Sequence, residues 1–232
     1  MLGRDHALSG ALAWLAVAPE VARLLGERTS PAEIAVGAAT CAGFALLPDI
    51  DEPNSTVSRK LGPVSRGVSQ VTRTLAGGHR QATHSLAFVA LVGGGCWAAT
   101  TNRTVSAVVV AACVLLVARM VVPLGLGKTF GLSAGLAVAA GWWTWQGHAG
   151  RDWLSAVAMV GVVCHLLGDM LTREGVPPLW PVRWRVAVPL LGHTSSLRET
   201  LLGTVMSCGI AFFLWAEVLS PALSLIPFPR LA

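Results

Sequence analysis

Seven apolar stretches alternate with polar breaks along the chain, at about 8–26, 32–48, 84–101, 104–122, 130–146, 153–171 and 200–219. Most approach the ~17–25 residues that cross a bilayer as a helix. Pro19, Glu20 and Arg23 interrupt the first, so the pattern predicts six or seven spanning helices. Lipid offers a bare backbone no hydrogen bonds, and a helix satisfies its own. The expectation is an all-α polytopic membrane protein, with residues 1–232 forming one integral membrane domain. Two breaks are long: 52–80, rich in Ser, Thr, Arg and Gly, and 173–199, which holds "VPPLWPVRWRVAVPLLG". Both are expected as loops. Arg4, Asp5 and His6 precede the first stretch, and no small-residue cleavage site follows, so no cleavable leader is expected.

Composition agrees. The chain is 53% hydrophobic and 12% charged, half the roughly 25% charge of a soluble domain. Cys41, Cys96, Cys113, Cys164 and Cys208 all lie inside apolar stretches without metal-binding spacing, and are expected as small buried hydrophobes. The net charge of +5 bears on orientation, since no nucleic-acid recognition motif appears. With seven helices, the N-terminus and segments 49–83, 123–129 and 172–199 share one side. That side carries twelve Lys and Arg, with Arg119 at a helix end, against four on the other. The positive-inside rule makes it, and the N-terminus, cytoplasmic. Trp142, Trp143, Trp145 and Trp153 then mark the outer interface. Trp180, Arg183, Trp184 and Arg185 suit an interface-seeking segment, with rings among headgroups and guanidiniums on phosphates. A Pro-rich connector is the other reading.

The candidate chemistry gathers on the same side. His6, His79, His84, His165 and His193 fall there; His148 falls outside and suits a surface or interface position. In "CHLLGDMLTREG" His165 and Asp169 are four apart, on one face of an apolar helix. An ionisable pair in a membrane helix is costly and points to function. Imidazole and carboxylate at that spacing hold one metal ion or bridge two; a buried pair that fixes packing is the alternative. In "LLPDIDE" Pro48 disfavours helix at Leu47, so Asp49 and Asp51 leave the helix end in a bend. In "HRQATHS" Thr83 or Ser85 suits the cap of the next helix and anion binding there. His79 and His84 suit metal ligation, and Arg80 a bidentate grip on phosphate. Zincin, nucleophile-elbow, Walker and dinucleotide-binding motifs do not occur.

These motifs together resemble a known family. His6, "LPDID" at 47–51, "HRQATHS" at 79–85, "HLLGDMLTREGVPPLWP" at 165–181 and Glu199 are similar to the YdjM-type family of bacterial inner-membrane proteins. The resemblance implies a metal-dependent hydrolase, multi-pass in the bacterial plasma (inner) membrane. That family is in turn distantly similar to zinc-dependent phospholipase C and P1 nuclease. Carried over by motif, His6, Asp49 or Asp51, His79 or His84, His165 and Asp169 are the implied ligands. The chain departs from those soluble enzymes in two ways. His193 and Glu199 are six apart where they carry His-x-x-x-Glu, and the chain opens Met-Leu-Gly where they present a tryptophan.

Two functions follow as expectations. The first is hydrolysis of a phosphoester in a phospholipid or similar amphiphile. A divalent metal, zinc or else manganese or iron, would sit on His6, Asp49, His79, His84, His165 and Asp169. Asp51 and Glu199 would be catalytic, with Arg80, Thr83 and Ser85 holding substrate. Membrane lipids would be its surroundings and partners. The second is a metal-binding membrane protein with a regulatory or transport role. Transport favours ionisable residues near the bilayer middle, whereas these gather at one face. A lipid phosphatase of the PAP2 type also has His-x-x-x-Asp, but its Ser-Arg and Pro-Ser-Gly-His motifs do not occur here.

Overall fold

The computed structural model describes residues 1–60, 63–121, 126–148, 150–191 and 196–224. His193 lies outside the described residues. The fold is all-α: α1 Gly3–Leu25, α2 Pro31–Phe44, α3 Thr56–Lys60, α4 Pro63–Leu75, α5 Leu86–Ala99, α6 Arg103–Val121, α7 Leu126–Trp143, α8 Arg151–Met170, α9 Leu197–Phe213 and α10 Ser220–Ser224. Among the described residues, five segments are long and apolar enough to cross a membrane: Gly3–Leu25, Pro31–Asp51, Arg103–Met120, Asp152–Met170 and Leu197–Leu223. Helix α5 is apolar but has only 14 residues. Pro19 lies inside an unbroken α1.

Helices α1, α2 and α8 form the centre. Helix α9 packs on α1, α5 on α8, and α6 on both α2 and α7. Glycines set the spacing. A Cβ on Gly10 of α1 would lie 2.9 Å from the Cys41 carbonyl oxygen of α2, and one on Gly161 of α8 would lie 2.5 Å from the same atom. Three backbones thus converge where no side chain fits, the usual way to bring helices together in lipid. Around them Trp14, Leu15, Phe44, Leu154 and Val157 are buried. Trp153, expected at the outer interface, is buried edge-on to Trp14 with ring centroids 6.2 Å apart. Trp142 and Trp145 are exposed and stacked.

The two long breaks are structured. Residues 52–80, expected as a loop, carry α3 and α4. Val64, Val68, Val71 and Leu75 form an exposed stripe along α4, spaced as one helical face. Residues 171–191 fold back over the end of the bundle. Leu86 N–H donates to the Pro178 carbonyl at 2.9 Å, Val188 N–H to Met170 at 2.7 Å and Leu191 N–H to Leu171 at 3.1 Å. A single bridge pairs Val176 with Val186.

The glycine contacts make a test. Gly161→Ala meets a backbone carbonyl that cannot turn aside, so we expect a loss of about 1–3 kcal/mol. Gly94→Ala, with open space around its Cβ, should change stability by no more than about 1 kcal/mol. Thermal unfolding in detergent compares the two.

Candidate metal centre

The site begins where α2 stops. Past Phe44, Pro48 has no N–H with which to continue the helix, and Leu47–Asp51 turns as a 3-10 helix. This leaves the Ala45 carbonyl, one of the unpaired acceptors of a helix end, free for another donor. His165 supplies it: its Nδ1–H donates to Ala45 O at 2.7 Å. The bond fixes the ring tautomer and aims Nε2, with its lone pair, at the middle of the cluster.

His84 meets it from the turn before α5. Ser85 caps that helix through the Phe88 N–H. The two Nε2 atoms are 3.1 Å apart. Asp169 Oδ2 lies 3.5 Å from His84 Nε2 and 3.6 Å from His165 Nε2. Asp49 Oδ1 lies 3.9 Å and 3.7 Å from the same nitrogens. Metal bonds of about 2.0–2.2 Å at tetrahedral angles give donor separations of roughly 3.3–3.6 Å. These side chains are therefore spaced to hold an ion. Asp169 Oδ2 is buried without a hydrogen-bond partner, a costly state that a bound cation relieves. Three overlapping groups have ligand atoms within 4.8 Å of one another: His84, His165 and Asp169; His6, Asp49 and His165; Asp49, His79 and His84. His6 stacks on His165, ring centroids 3.8 Å apart, with Nε2 3.3 Å from Asp169 Oδ1. Gly168 makes room, since a Cβ there would come within 3.2 Å of the His6 ring.

The remaining expected residues take other places. Asp51 is in none of the three groups. It accepts from His79 Nδ1 at 2.7 Å, from the Arg80 N–H at 3.2 Å and from the Thr83 hydroxyl. Thr83 Oγ1 is in turn 3.0 Å from His84 Nδ1. Asp51 and Thr83 thus brace His84 from behind. Arg80, expected on a phosphate, is already committed. Its backbone has the uncommon φ of 56°, and its guanidinium donates to Asp169 Oδ1 at 2.9 Å and to Thr172 Oγ1 at 3.0 Å. The Met1 amino group also reaches Asp169 Oδ1, at 3.2 Å. Ser85 is spent on its cap and on the Ala82 carbonyl. Glu199 is buried to one side, accepting from the Leu2 N–H at 2.7 Å.

Sequence reasoning missed the Ala45 carbonyl, Gly161, Gly168 and Thr172. Gly161 stands four residues before His165, one turn along the same face. That spacing is the available signal for Gly161.

Comparison with known proteins fits this picture. The model of the family described as "YdjM inner membrane protein" matches residues 1–227. "Inner membrane protein YdjM" of Escherichia coli (strain K12) and that of Shigella flexneri are each 32% identical over 146 residues, 63% of this chain and 50% of theirs. The chain spans about half the length of the curated relatives it matches. No solved structure matches. The chain belongs to the YdjM family of inner-membrane proteins, and its candidate spans make it multi-pass.

The two carboxylates should separate on substitution. Asp169→Asn keeps the shape but removes the anion, and we expect bound metal to fall close to zero in elemental analysis of purified protein. Asp51→Asn only loosens a brace, and should weaken metal affinity about 10–100-fold. Arg80→Lys keeps the charge but loses the fork that orients Asp169, so metal content should drop; a phosphate clamp would leave it unchanged.

Proposed function

We propose that this YdjM-family protein is a membrane-embedded, metal-dependent hydrolase of a phosphoester in a phospholipid or similar amphiphile, with its N-terminus and site at the cytoplasmic face and six or seven helices spanning the membrane. The observation that carries the reading is the unequal donor set. His84, His165 and Asp169 are buried, with donor separations of 3.1, 3.5 and 3.6 Å. Asp49 stands farther off, at 3.7 and 3.9 Å, and its side chain is 17% exposed. Three protein ligands beside an open position is the pattern of catalytic zinc sites, whereas structural sites are closed by four.

A divalent cation held there would polarise phosphoryl oxygens and make water a better nucleophile. Asp49 orients the attacking water and takes its proton. Asp51, through Thr83, keeps His84 in place. Arg80 holds Asp169 and Thr172 through its two terminal nitrogens. The buried walls keep bulk water out, which strengthens every charge interaction inside.

The second reading, a metal-binding protein without turnover, takes Asp49 as a fourth ligand that closes the shell. Asp49→Asn separates them. As a base at the rim, its loss should leave metal content near wild type while hydrolysis of lipid phosphoesters, measured with and without chelator, falls roughly 100-fold or more. Loss of metal from this variant, with no chelator-sensitive hydrolysis in the wild type, would favour the closed site.

A further inference from the structure

A cavity of about 540 Å³ opens near the candidate metal centre, lined by Gly77, Gln81, Trp180, Pro181, Arg183 and Arg185. Ligand pockets usually run about 300–1,000 Å³. None of these residues is acidic, and Glu174, on the same segment, directs its carboxylate to Arg80 at 3.3 Å. Arg185 is fixed by the carbonyls of Glu174, Gly175 and Arg80, at 3.2, 3.4 and 3.3 Å. Those partners orient the guanidinium without cancelling its charge. Arg183 makes no hydrogen bond or ion pair among the described residues.

The lining alternates along the segment. Pro181, Arg183 and Arg185 face the cavity. Val182 and Trp184 do not, and both are exposed, with Leu179 and Leu190 exposed nearby. Both sides of the strip are exposed: the side lining the cavity carries the two guanidiniums, and the side turned away from it is apolar. The cavity is also close to the metal centre, because Arg185 touches the backbone of Arg80, whose side chain holds Asp169.

We propose that this cavity is an anion site for a phosphate group, carried by an amphiphile whose hydrocarbon lies along Val182 and Trp184. Paired guanidiniums are the usual receptors for phosphate, and the apolar strip accounts for the chain attached to it. The inference rests on the hydrolase reading for what happens to the ligand next.

Binding is measured on the full chain in dodecyl maltoside and phosphate-free buffer, with chelator present so that no turnover occurs. Titration calorimetry compares dihexanoyl phosphatidic acid, inorganic phosphate and dihexanoylglycerol. We expect the phosphatidic acid to bind at least about tenfold more tightly than dihexanoylglycerol. Arg183→Gln, which breaks no hydrogen bond or ion pair among the described residues, should weaken it severalfold, and Arg183→Gln with Arg185→Gln about tenfold or more. Phosphatidic acid binding more tightly than inorganic phosphate assigns the site to a lipid headgroup; equal binding assigns it to free phosphate. Equal binding of phosphatidic acid and dihexanoylglycerol, or wild-type affinity in both Arg183→Gln and the double variant, would overturn the anion site. Because metal is chelated, binding without any hydrolysis by the metal-loaded protein would sink the hydrolase reading alone.

Discussion

The hydrogen bond from His165 Nδ1 to the Ala45 carbonyl joins the packing of the bundle to its chemistry. It requires two helices in near backbone contact, and Gly161 provides that one turn away by lying against Cys41. It also requires a helix end with a free acceptor, which Pro48 and the turn after it provide. With the ring anchored, Nε2 has one direction to face. His84, Asp169 and Asp49 arrive around it from three other places in the chain. Moving α8 against α2 would therefore disturb the candidate metal centre before it disturbed the outer helices.

Charge explains why the cluster calls for a cation. Asp49, Asp51 and Asp169 converge on one end of an apolar bundle, and Asp51 and Asp169 are fully buried there. Arg80 and the Met1 amino group both act on the same oxygen of Asp169, leaving the other oxygen bare. Once the imidazoles are neutral, as ligation of a metal requires, these three carboxylates outnumber the two cations. Desolvated charge of this kind is expensive unless paired. A divalent ion among the donors would remove that deficit.

Much of the site was legible because its residues come as local motifs. His165 and Asp169 at helical spacing, the PDID bend and the paired histidines of HRQATHS all mark where the chemistry gathers. Sequence spacing left Asp49 and Asp51 equivalent, and likewise His79 and His84. The distinction is tertiary: Thr83 links Asp51 to the back of His84, while Asp49 faces its front. The role of Arg80 was hidden in its left-handed backbone, which turns the side chain towards Asp169. Helix α4 was hidden by polar composition, although Val64, Val68, Val71 and Leu75 already carried a helical period. The apolar helices themselves were legible from hydropathy, with α5 shorter than its apolar run because Ser85 caps it late.

X-ray absorption of the zinc-loaded protein in detergent tests the central claim most directly. The account predicts a shell of nitrogen and oxygen donors at about 2.0–2.2 Å, with the outer-shell scattering of two or more imidazoles. A shell containing sulfur at about 2.3 Å, or one built from oxygen alone, would contradict it.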